Sequence, residues 1–198
     1  MNRVIYWPFA LPDRRLADAS RWLCSALADL GIEAHVDPWL TLDGHRPADL
    51  MGAELLFVGG GTTSKLARHV FDHGFGAAVR NHVGTGGNYY GGSAGALLAC
   101  DSIALSALAD GDAVAARDYR GLGLVHGVTV LPHANAFAVD SQHEWSTSLG
   151  QRLLAIPEAS GVKIGDATCS VIGGQPVTFV DGNRITVYQP GEMISLDT

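Results

Sequence analysis

The sequence predicts an α/β domain: a mostly parallel sheet flanked by helices, with antiparallel strands at its C-terminal edge. Three observations lead there. Short strand-like runs at Val4–Trp7, Ile32–Val36 and Leu55–Val58 alternate with segments of helical periodicity, as in successive β-α-β units. The run at Leu55–Val58 is apolar throughout, as expected of a strand covered on both faces. The last third changes to short alternating runs around turn residues, VKIGDATCSVIGG and PVTFVDGNRITVYQ, the mark of hairpins. At 198 residues the chain reads as one domain over 1–198, large enough to bury its own core.

Taken in order, Val4–Trp7 forms the first strand, closed by Pro8 and Pro12. Asp13 is placed to cap a helix on which Leu16, Ala19, Leu23, Leu27 and Leu30 recur at three- or four-residue spacing, with Gly31 as its stop. Ile32–Val36 is the second strand and Leu55–Val58 the third, the latter running into Gly59-Gly60-Gly61. A helix from Ser64 to Val83 follows, weakened around Gly74 and Gly76, and then a strand approach at Asn88-Tyr89-Tyr90. Asp181-Gly182-Asn183 marks a hairpin turn near the C-terminus.

After that approach comes Gly91-Gly92-Ser93-Ala94-Gly95. A serine between small residues at a strand-to-helix turn suits a nucleophile: the sharp turn lifts Oγ above the sheet and aims helix N-terminal amides at a developing oxyanion. With 25 glycines in the chain the motif also arises by composition, and then its serine merely caps the helix. A nucleophile needs a base and the base an orienter. His133 follows Pro132 at the end of the apolar run Val128–Leu131, the strand end where α/β crevices form. Between serine and histidine lie Asp101, Asp110 and Asp112, the last two in the loop-like ADGDA. The GGGTTSK turn lacks the ending of a phosphate loop, but its flat backbone suits an oxyanion hole. His69 and His73 stand four apart without a third ligand and read as a solvated helix face, so no metal is expected.

Together LLFVGGGTT, GGSAGA, GLGLVHGVTVLPHA and LLAIPEASGV resemble the peptidase E (α-aspartyl dipeptidase) family, which is related to cyanophycinases and shares the class I glutamine amidotransferase-like fold. The resemblance implies Ser93 as nucleophile, His133 as base and an aspartate between them, Asp110 with Asp112 as the alternative. It implies an oxyanion hole from the Ala94 amide and one from Gly60 or Gly61, with Thr62 and Glu158 lining the substrate site. Two positions depart from the family pattern. Thr62 replaces an asparagine, and the helix segment SQHEWSTSLGQRLL carries no arginine at the matching place, only Arg152 beyond it. Loss of a bidentate carboxylate clamp weakens preference for an N-terminal aspartate.

The expected activity is therefore serine hydrolysis of a short peptide or related small amide, with no metal or organic cofactor. The contrasting reading is a catalytically silent domain that binds a small molecule on the same fold. A glutamine amidotransferase would need cysteine at the serine's position, and the nearest, Cys100, lies seven residues on. A net charge of −7 and scattered arginines argue against nucleic-acid and anionic-membrane partners; a homodimer is left open. Three distant cysteines, Cys24, Cys100 and Cys169, suggest buried free thiols, and with no apolar leader segment the expected location is the cytoplasm.

Overall fold

Parallel pairing dominates the first half of the computed structural model, which describes residues 2–111, 120–165 and 168–196. Strands β1 (Asn2–Trp7), β2 (Ala34–Pro38), β3 (Leu55–Val58) and β4 (Asn88–Gly91) form a sheet in the order β2-β1-β3-β4. Every neighbouring pair in it is parallel. Val4 to Trp7 are all buried, as an inner strand covered on both faces requires. The helices of this part are α1 (Leu16–Asp29), α2 (Thr63–Asp72), α3 (Phe75–Gly84) and α4 (Ala94–Ala99).

These elements make one of two compact units, Met1–Ala99; the second is Cys100–Thr198. In the second unit a short helix, α5 (Leu105–Ala109), precedes β5 (Val128–Leu131). Helix α6 (Val139–Leu149) then leads to β6 (Arg152–Ala155), which pairs parallel with β5. Beyond it come β7 (Ser160–Gly165), β8 (Thr168–Gly173), β9 (Val177–Asp181), β10 (Arg184–Tyr188) and β11 (Met193–Ile194). The fold is thus the expected α/β arrangement, a mainly parallel sheet flanked by helices with antiparallel strands toward the C-terminus. Among the described residues no helix is long and apolar enough to cross a membrane.

The antiparallel strands are divided in a way that the periodicity does not announce. β9 joins β6 and β10 joins β9, giving the order β10-β9-β6-β5. The turn between β9 and β10 is the expected Asp181-Gly182-Asn183, with Gly182 at φ 54°. By contrast β7 and β8 do not extend that sheet; with β11 they form a separate antiparallel sheet, β11-β8-β7. Buried Leu154, Val177 and Phe179 share one apolar cluster with Cys169, Val171 and Ile194, so strands of the two sheets contribute to a common core.

Four local expectations are corrected. The helix read over Ser64 to Val83 is two helices, because Gly74 takes a left-handed φ of 72° and stops the first. The second strand begins two residues late, since the Ile32 amide still bonds the Leu27 carbonyl at 2.9 Å and closes the end of α1. Asp13 caps no α-helix: it opens a 3-10 turn, Asp13–Arg15, and pairs with Lys65 at 3.2 Å. Cys24 is exposed, while Cys100 and Cys169 are buried and burial pushes both thiols up to about 11.

The His69–His73 pair is not a solvated face either. His69 Nε2 accepts the Leu42 amide at 2.9 Å, and its ring meets the edge of Phe9 at 4.7 Å. His73 uses one ring nitrogen on the His69 carbonyl (2.8 Å) and the other on Asp43 (2.9 Å). Both histidines therefore tie the chain after β2 to helix α2.

Candidate active site

In the first unit, the ends of β3 and β4 meet at two glycine turns. The Gly92 amide donates to the Val58 carbonyl at 2.9 Å, which holds the serine turn against the end of β3. Only glycine fits at two places there. A Cβ on Gly95 would lie 2.4 Å from the Val58 carbonyl oxygen, and one on Gly91 would lie 2.6 Å from the Gly95 backbone. The turn forces Ser93 to φ 51°, a left-handed conformation that costs an L-residue roughly 1–2 kcal/mol. The Tyr89 hydroxyl donates to the Gly95 carbonyl at 2.7 Å and braces the turn from the first residues of α4.

The other turn, Gly59 to Gly61, comes against it. A Cβ on Gly60 would stand 3.0 Å from the Ser93 Cβ and 3.6 Å from its Oγ. Gly61, at φ 140°, lies so close to Ala10 that a side chain would meet its carbonyl at 2.3 Å. Within the serine turn Gly95 donates to Gly92, and Ala96 and Leu97 to Ser93. The Gly60, Gly61 and Ala94 amides donate to none of these carbonyls. Thr62 stands exposed at the start of α2 and makes no side-chain cap bond.

In the second unit, β5 and β6 lie side by side with Leu131 opposite Ala155. The segments leaving them are stitched together: Ile156 N–H donates to the Leu131 carbonyl at 2.8 Å, and Ala134 N–H to the Ile156 carbonyl at 3.1 Å. This registry brings His133 and Glu158 into contact, with the Glu158 carboxylate on His133 Nδ1. A carboxylate only accepts, so Nδ1 carries the proton; in the neutral ring Nε2 is then unprotonated. His133 is itself left-handed, at φ 57°. Among the described residues, Ser93 and His133 are the two non-glycine positions with positive φ.

Two of the three candidate aspartates are among the described residues. Asp110 ends helix α5, where its amide bonds the Ser106 carbonyl at 3.0 Å. Asp101 pairs with His126 at 2.8 Å and accepts the Gly127 amide at 3.2 Å. Asp112 lies outside the described residues. The contact of Glu158 with the histidine was missed in the sequence, where this residue reads as lining the substrate site. The signal was present: two neighbouring parallel strands each end in a proline followed by a titratable residue, Pro132-His133 and Pro157-Glu158.

A strained serine at a small-residue turn ending a parallel strand is the framework of a serine hydrolase. The comparison with known families narrows this. The model for peptidase family S51 matches residues 2–178, so the chain belongs to that family, and it is a serine peptidase. It is 27% identical over 188 residues to Peptidase E of Salmonella typhi, covering 89% of this chain and 79% of that protein. Peptidase E of Shigella flexneri is 27% identical over 196 residues, covering 96% and 81%. The crystal structure of a peptidase from an acI-B1 Actinobacterium superposes with a TM-score of 0.78 at 22% identity, over 98% of this chain and 83% of that one.

Proposed function

We propose that the protein hydrolyses short peptides through Ser93 as nucleophile, His133 as general base and Glu158 as the residue that orients the base. His133 Nε2 takes the Ser93 hydroxyl proton as Oγ bonds to the scissile carbonyl carbon. The imidazolium then gives that proton to the departing amine as the C–N bond breaks. Water repeats the cycle on the acyl-enzyme and frees the acid. The Ala94 amide and that of Gly60 or Gly61 hold the oxyanion, and Thr62 flanks the substrate. Glu158 takes the orienting role that the sequence reading gave to Asp110 or Asp112. The mechanism draws its nucleophile and base from side chains alone.

The observation that carries this reading is the coincidence of backbone strain with the two chosen residues. Left-handed serine and histidine persist only where the surroundings over-determine them, and such positions cluster at working sites. Helix α6 carries no arginine, so the family's carboxylate clamp is absent from that helix, and neutral N-terminal residues are the better substrates. The test is labelling with a fluorophosphonate, followed by a dipeptide panel comparing Asp-X with neutral X-X. Stoichiometric label on Ser93, lost in His133→Ala, supports the mechanism. An inert Ser93 in folded protein, or labelling indifferent to His133→Ala, defeats it.

A further inference from the structure

One buried amide beneath the histidine turn has no part in the chemistry above. Gln142, on the first turn of α6, is 4% exposed. Its Nε2 points back along the chain and donates to the carbonyls of Ala134 (3.4 Å) and Phe137 (3.3 Å). These two carbonyls lie at either end of the short 3-10 turn that follows His133. At the same time Gln142 Oε1 is buried with no hydrogen-bond partner among the described residues. Burying an unpaired acceptor is costly, and an apolar side chain of this length would fill the space without that cost. What the amide adds is its pair of donors.

The turn needs them. Its own bonds, Ala136 N–H to the His133 carbonyl (2.8 Å) and Phe137 N–H to the Ala134 carbonyl (3.1 Å), close a local loop. They say nothing about where that loop sits. Ala134 N–H fixes one side of it to the Ile156 carbonyl, on the segment that leads to Glu158. Gln142 fixes the other side to the helix. A left-handed histidine is stable only when held from more than one direction.

We infer that Gln142 is a positioning residue: by gripping the Ala134 and Phe137 carbonyls it holds His133 in its left-handed conformation, with Nδ1 on Glu158. This rests on the reading of His133 as the base.

The test uses the full chain with Gln142→Met, which keeps length and burial and removes both donors. Reaction with a fluorophosphonate at Ser93 is followed over probe concentration. The rate at saturation is expected to fall about ten-fold, with half-saturation changed less than about two-fold, since sub-ångström errors in a base cost turnover more than binding. In the same variant the low-field NMR signal of His133 Nδ1–H broadens or is lost, while the melting temperature holds or rises because an orphaned acceptor is gone. A merely structural glutamine would lower the melting temperature and leave that signal in place.

A folded Gln142→Met protein with wild-type saturating rate and an unchanged Nδ1–H signal overturns the inference. Should that variant not fold, Gln142→Asn gives the same readouts, its amide being one methylene too short to reach both carbonyls. His133→Ala is the control that separates the two readings. If it still reacts at the wild-type rate, the base assignment falls; if it is dead while Gln142→Met is normal, only the positioning role falls.

Discussion

Gly60 and Ser93 approach so closely that a methyl group on the glycine would stand 3.0 Å from the serine Cβ. A side chain on Gly60 would crowd the serine. Gly60→Ala should therefore cut the rate of Ser93 acylation about ten-fold or more and leave thermal stability within a few degrees. Gly95→Ala should behave differently, because its methyl would meet a backbone carbonyl at 2.4 Å that cannot yield, costing about 3 kcal/mol of stability. Denaturant titration of both variants beside labelling rates checks the contrast; equal stability losses would contradict it.

The left-handed backbone at Ser93 makes its own prediction. Ser93→Ala abolishes turnover and keeps the strain, since alanine is as disfavoured there as serine. Ser93→Gly removes the strain and should be about 1 kcal/mol more stable than Ser93→Ala, although glycine's freer unfolded chain offsets part of the gain. Urea unfolding of the two inactive proteins decides it. A glycine variant no more stable than the alanine variant would mean that the turn stores no strain.

Glu158 and Asp110 can be told apart by amide replacement. Glu158→Gln preserves shape but leaves the His133 imidazolium without its counter-charge, and kcat/KM should fall about 100-fold or more. Asp110→Asn, at the end of helix α5, should stay within roughly two-fold where Glu158 alone orients the ring, on the ordinary scale for a surface change. The reverse ranking would return the orienting role to Asp110.

A pH effect is expected away from the serine. Both ring nitrogens of His73 face acceptors, the His69 carbonyl and the Asp43 carboxylate, so the charged ring satisfies both and the neutral ring only one. The bond to Asp43 accordingly holds His73 above its usual 6.5, and the bond to His73 holds Asp43 below its usual 3.8. A raised histidine stabilises the fold below its unfolded value, and that stability is lost as pH rises through the folded value. A lowered carboxylate stabilises above its unfolded value and loses the effect as pH falls through the folded one. The pair thus contributes most between about pH 4 and 6.5.

Neighbouring His69 runs the other way. Burial holds it below 6.5, the charge of His73 adding to this, and its neutral Nε2 is needed for the Leu42 amide. Its contribution is full above 6.5 and fades as pH falls. Asp43→Asn should consequently cost more stability at pH 5.5 than at pH 9, read by urea unfolding. An equal deficit at both values would show that the bond carries no charge.

The elements most legible in the sequence are those bounded by glycine on the spot. Leu55–Val58 stands where its apolar run and the following three glycines put it. The chain after α1 was harder, because Ile32 looks like strand by residue type but spends its amide closing a helix. Gly74 shows the same limit: glycine in a helical pattern can be tolerated or can end it, and packing decides. The separate β11-β8-β7 sheet could not be read at all from alternation, which gives a strand its faces and not its neighbours. The His133–Glu158 contact was half legible: the matched Pro132-His133 and Pro157-Glu158 pairs stand in the sequence, but not the parallel adjacency of β5 and β6 that makes them meet. Gln142, a polar residue on an unremarkable helix, left no sequence signal.

Strand order also has a consequence in time. β4, the last strand of the N-terminal sheet, ends at Gly91, and every partner in that sheet precedes it. Domains built this way can fold as they leave the ribosome, N-terminal part first. The serine turn can therefore form before the segments bearing His133 and Glu158 have emerged. On the proposed mechanism, which takes its base from the later half, such a nascent chain holds a shaped but inert serine. On that reading the capacity to cut peptides comes only with the second half of the chain, after the part that carries the proposed nucleophile has had the chance to fold.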